Sequence, residues 1–133
     1  MSFDIFLLKH QHGEGRTFPT AIMDEVFADF IFHREETFVR VQYPDESEAD
    51  IWYKVTEEEI DCVMFNHCVG EQFSDAMFEL LKRIDGVICW PGGGCVVANQ
   101  SAIDDMPPEL IATFGTPIIV SSGNEISEVI EGS

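Results

Sequence analysis

Residues Ser2 to Lys9 alternate, with Phe3, Ile5 and Leu7 on one parity, which predicts a first strand. The loop "HGEGRTFPT" follows, and Pro19 suits a first helical position. Ile22, Val26, Phe27 and Phe30 then recur at helical spacing, so a helix is expected from Pro19 to about Phe30. The run "TFVRVQY" sets Val39, Val41 and Tyr43 against Phe38, Arg40 and Gln42, "PDES" supplies turn chemistry, and "ADIWYKV" alternates again, so the two form a hairpin. Ile60 to Val69 is apolar on both parities as far as Asn66, the pattern of a central strand covered on both faces.

Phe73, Ala76, Met77, Leu80, Leu81 and Ile84 fall at i, i+3, i+4, i+7, i+8 and i+11, the clearest helical pattern in the chain. "VICW" and "CVVA", joined by "PGGG", read as two short strands around a tight turn. "NQSAIDDM" starts a further helix that Pro107 and Pro108 interrupt, "ELIATFG" adds a turn or two, and "TPIIVSS" forms a last short strand. The polar segment 124–133 is expected to be a frayed tail. Strands and helices do not alternate regularly, so the expected class is α+β, a mostly antiparallel or mixed sheet of five to seven strands with two main helices on one face. At 133 residues the chain is expected to form a single domain, 1–133.

Charge narrows the choice of partner. Seven Lys and Arg stand against 25 Asp and Glu, a formal net charge of −18. Nucleic-acid binding needs cationic neutralisation of phosphates and is excluded on that ground, and acidic lipid surfaces are disfavoured for the same reason. A basic protein is the partner this field attracts; the alternative is that the acidity only maintains solubility or reflects a salty habitat. The first residues carry neither the basic segment nor the long apolar run of a signal peptide or membrane span, so the expected location is cytoplasmic, with Cys62, Cys68, Cys89 and Cys95 as reduced thiols.

Two sites are conceivable. The first is an acidic, aromatic surface: Asp45, Glu46, Glu48, Asp50, Glu57, Glu58, Glu59 and Asp61 crowd the flanks of the second hairpin strand, and Trp52 and Phe38 take the strand parity opposite to its buried residues. Large aromatic anchors with charge around them are the composition of a protein-binding interface. The second is an edge where His10, His12, His67 and Cys68 would meet if the first strand ran parallel to Ile60–Val69, giving a metal site or a Cys68 nucleophile served by His67, His10 or His12. Adjacent strand residues point to opposite faces, so His67 alone is badly placed as a base for Cys68.

Other motifs carry no chemistry. "WPGGGC" lacks the Lys, the Ser or Thr and the following helix of a phosphate loop, Cys89 and Cys95 lack the arginine of a phosphate-binding cysteine loop, and the cysteine spacings are too wide for structural zinc. No cofactor is implied, and the oligomeric state is left open. The stretches "MSFDIFLL", "EEEIDCVMFNHC" and "GVICWPGGG" together resemble a group of small acidic bacterial proteins of uncharacterised function. Some proteins of that kind act as immunity partners of secreted toxins, so the resemblance implies a toxin domain as the basic partner.

Overall fold

The structure, a computed structural model, describes residues 4–132, the side chains of 67–69 excepted. Among these residues one mixed sheet contains β1 (Ile5–Leu8), β2 (Ile31–Arg34), β3 (Phe38–Gln42), β4 (Glu48–Trp52), β5 (Cys62–Val69), β6 (Val87–Cys89), β7 (Cys95–Val97) and β8 (Ile118–Ile119). Their order across the sheet is β8-β7-β6-β1-β5-β4-β3-β2. Every neighbouring pair is antiparallel except β7 with β8. The class is α+β, with eight strands in the sheet rather than five to seven.

The β3–β4 hairpin forms where the alternation predicts it, with Val39, Val41, Ala49 and Ile51 buried on one face. Helix α2 (Glu71–Ile84) buries Phe73, Ala76, Met77, Leu80, Leu81 and Ile84, the side chains whose spacing predicts it. It joins β5 to β6, which flank β1 on either side, so the connection passes over β1 and lays its apolar stripe on the sheet. At the start of α2, Gly70 has φ 108°, and a Cβ there would fall 1.9 Å from Ser47 Oγ. Only glycine fits this junction between strand and helix.

Four expectations are corrected. Pro19 does not open a helix: Phe18 and Pro19 pair with Ile60 and Glu59, Thr20 N–H donates to the Glu58 carbonyl, and α1 spans only Ala21–Phe27 before a 3-10 turn at Ala28–Phe30. Helices cover both faces of the sheet, not one. On the first face α1, α2 and α5 (Gly123–Glu131) enclose the main core with Leu7, Val63, Phe65 and Ile88; on the second, α3 (Gln100–Asp104) and α4 (Pro108–Phe114) pack on Val87, Cys89, Cys95 and Val97.

The segment expected to fray, 124–133, is mostly α5, whose Ile126 is fully buried. Ser122 caps that helix by accepting from Glu125 N–H, and Glu125 reaches back to Ser121 N–H at 2.7 Å. Finally, β1 runs antiparallel to β5, with Ile5 opposite Phe65 and Leu8 opposite Cys62. The parallel arrangement assumed for a histidine-cysteine edge is therefore absent.

Candidate functional site

The second face of the sheet is covered by α3 and α4 only toward β6 and β7. Toward β3 it presents Met64 and Asn66 on β5, Asp50 and Trp52 on β4, and Phe38 and Arg40 on β3, all half-buried or exposed. Cross-strand register sets these side by side: Phe38 opposite Trp52, Arg40 opposite Asp50, and Trp52 opposite Met64. The Phe38 and Trp52 rings stack with centroids 4.6 Å apart and planes 26° from parallel. Such a pair contributes about 0.5–1.5 kcal/mol beyond its burial, so each ring helps to hold the other in place.

Polar neighbours fix the pair further. Trp52 Nε1–H donates to Asn66 Oδ1 at 3.1 Å, which sets the rotation of the indole. Arg40 Nε donates to Asp50 Oδ1 at 2.9 Å, and its guanidinium carbon lies 5.7 Å from the Phe38 ring centroid. His33 on β2 stands 5.6 Å from Phe38 on the other side and bonds Glu35 at 2.7 Å. The result is a pre-formed aromatic platform whose cation is already neutralised by Asp50.

Two concavities flank the platform. One of about 330 Å³ is lined by Phe32, Arg40, Glu48 and Asp50, and Phe32 is 60% exposed on the edge strand. The other, about 480 Å³, adjoins Trp52 and is lined by Lys54, Glu57, Glu59, Asp61 and Cys62. Burial and, after it, the nearby Asp61 push the Cys62 thiol up.

The predicted acids do not form one cluster. Glu57 and Glu59 border the concavity beside Trp52, and Glu48 and Asp50 border the other. Glu58 is exposed, with its carbonyl receiving Thr20 N–H. Asp45 is occupied structurally: its oxygens accept from Ser47 N–H at 2.8 Å and Gln72 N–H at 3.0 Å, tying the hairpin turn to the start of α2. Those hydrogen bonds, that from Ser47 foremost, lower its pKa. Glu46 beside it takes a left-handed turn conformation, φ 71°.

The electrostatic field at the platform is one-sided. Arg16, Arg34, Arg40, Lys82 and Arg83 are each paired with an intrachain carboxylate, and Lys9 is held by the Ile84 carbonyl. Lys54 is the remaining cation of the described residues, and it stands among Glu57, Glu59 and Asp61.

The histidines are dispersed. Because β1 and β5 are antiparallel, the end of β1 that leads to His10 and His12 lies beside Cys62, while residues 67 and 68 lie five and six positions farther along β5. At about 3.4 Å per residue this puts their backbones roughly 17–20 Å from Cys62. His10 sits half-buried in a two-residue ladder, and burial lowers its pKa. His12 occupies a turn at φ 54°, where its N–H donates to Asp105 Oδ1. The His67 and Cys68 side chains lie outside the described residues. Among the described residues no three His, Cys, Asp or Glu side chains gather in a way that could hold a metal ion, and no helix is long and apolar enough to cross a membrane.

Of the side chains gathered at the platform and its flanks, the sequence pattern singles out Phe38, Trp52, Asp50 and Glu48 but not Asn66, Met64, His33 or Phe32. A signal existed for Asn66: it is the polar interruption of an apolar strand, at the parity that faces Trp52. Comparison of the chain with protein-family models, with curated proteins and with solved structures gave no match.

Proposed function

We propose that this protein is a non-enzymatic binding protein that holds a basic protein partner on the Phe38–Trp52 platform and its acidic flanks. The observation that carries the reading is the platform itself, stacked, hydrogen-bonded by Asn66 and left without a covering helix inside a strongly negative field. Aromatic side chains held in one conformation lose little entropy on binding, so they serve as anchors. The carboxylates at either end of β4 attract and orient a cationic surface before contact. A basic toxin domain, its active surface covered by occlusion, is the partner class that suits both this charge and the resemblance to immunity proteins.

The test begins with the partner recovered from the source cell. Its association rate with the purified protein should fall steeply as salt rises, and Trp52→Ala should weaken binding about thirtyfold or more, equivalent to about 2 kcal/mol. Trp52 is only half-buried, so the variant should keep its far-ultraviolet circular dichroism. A neutral partner with salt-insensitive association, or full affinity in Trp52→Ala, would overturn the proposal.

A further inference from the structure

We propose that Cys89 and Cys95 are an oxidisable thiol pair that closes to a disulfide on reaction with a hydroperoxide. The hairpin between them accounts for their placement. Trp90 carbonyl accepts from Gly93 N–H across Pro91 and Gly92, and Gly92 has φ 76°, which is a type II turn with proline and glycine at their favoured positions. Trp90 N–H then donates to the Gly94 carbonyl, making residues 90 and 94 a hydrogen-bonded pair. Cys89 and Cys95, directly opposite each other one step farther along, are the next, non-hydrogen-bonded pair. Such pairs have Cα atoms about 4.5 Å apart, within the range of about 4.4–6.8 Å that a disulfide spans. Both side chains lie on the same face of the sheet, and the sulfurs of the two free thiols are 2.9 Å apart.

The pair is asymmetric. The hydrogen bond between the sulfurs lowers the pKa of Cys95 and, together with burial, raises that of Cys89. One sulfur of the pair, taken as that of Cys95, ionises and attacks, and the same step with the two sulfurs exchanged balances identically. The Cys95 sulfur bonds one peroxide oxygen, the O–O bond breaks, and the leaving hydroxide is protonated to water. Cys89 sulfur next attacks the sulfenic acid at Cys95, the S–S bond forms, the S–O bond breaks, and hydroxide leaves with the Cys89 proton as a second water. Two thiols and one hydrogen peroxide thus yield one disulfide and two waters.

Access comes through the cover over the pair. Cys89 and Cys95 are almost fully buried under α3 and α4. Helix α4 is seven residues long and has no fully buried side chain. It is held on the pair by side chains that are only partly buried, Leu110, Ile111 and Phe114, so local opening of α4 is the route assigned to hydrogen peroxide.

The chain itself offers a clean assay. No Lys or Arg follows Arg83, so trypsin releases residues 84–133 as one fragment carrying both cysteines and neither of the others. After treatment of the full chain with hydrogen peroxide, denaturation and alkylation, that fragment should be lighter by two hydrogens and carry no alkyl group. Dithiothreitol before alkylation should restore both groups, and Cys95→Ser should abolish the hydrogen loss. Two alkyl groups after peroxide, added oxygen in place of lost hydrogen, or linkage to the fragment holding Cys62 and Cys68 would each overturn the proposal.

Discussion

At Gly93 the requirement is for space rather than for an unusual dihedral. A Cβ there would stand 1.6 Å from Nε1 of Trp90, whose indole is 1% exposed beneath the turn. The turn itself is legible in "PGGG", and Gly92 supplies its positive φ. The reason for Gly93 is not legible, because it depends on the indole folding back under the turn, a tertiary event. Gly93→Ala should therefore destabilise the protein by about 1–3 kcal/mol, the usual cost of overpacking. Gly15→Ala is the matched control, also at a non-positive φ but with nothing within 4 Å of its added Cβ, and it should stay within about 0.5 kcal/mol of the parent. Urea unfolding followed by tryptophan fluorescence measures both; equal midpoints would mean that the indole yields without cost.

Among the elements, α2 and the β3–β4 hairpin were readable because their periodicity extends over several turns or both strands. Strand β2 was not, since four residues between a helical pattern and Glu35-Glu36 give periodicity too little length. The direction of β1 relative to β5 could not be read at all: alternation tells which face a side chain takes, never which strand lies beside it or which way it runs. Helix α5 is a different case, because its signals were present. Ser122 and Glu125 have the spacing of a capping box, and Ile126, Val129 and Ile130 recur at i, i+3 and i+4, yet the surrounding polar residues outweighed them. If α5 is integral, Ile126→Ala should cost about 2–5 kcal/mol by leaving a cavity against the main core, and Ser122→Ala about 1 kcal/mol by freeing the first-turn N–H groups. Thermal unfolding of the two variants settles the matter, because a frayed tail would tolerate both with unchanged midpoints.

For the molecule as a whole, the same carboxylates have opposite consequences in the free and bound states. Among the described residues five acids carry a Lys or Arg partner, and most of the others repel one another across a small surface, most densely at Glu57, Glu58, Glu59 and Asp61. Composition alone conveys this net field. It does not convey that five of the seven Lys and Arg are already paired with carboxylates of the chain or that the uncovered face of the sheet holds a stacked aromatic pair, since both depend on the fold. Screening relieves the repulsion: the Debye length shrinks from about 30 Å at 0.01 M salt to about 3 Å at 1 M. The thermal midpoint of the free protein should therefore rise by a few degrees over that interval, while the association rate with a basic partner falls. The two slopes separate the meanings of the acidity. A protein unfolded at 0.01 M salt that folds only near 1 M owes its acids to a salty habitat, whereas one folded throughout carries them as a tolerated cost of self-repulsion, which partner binding relieves.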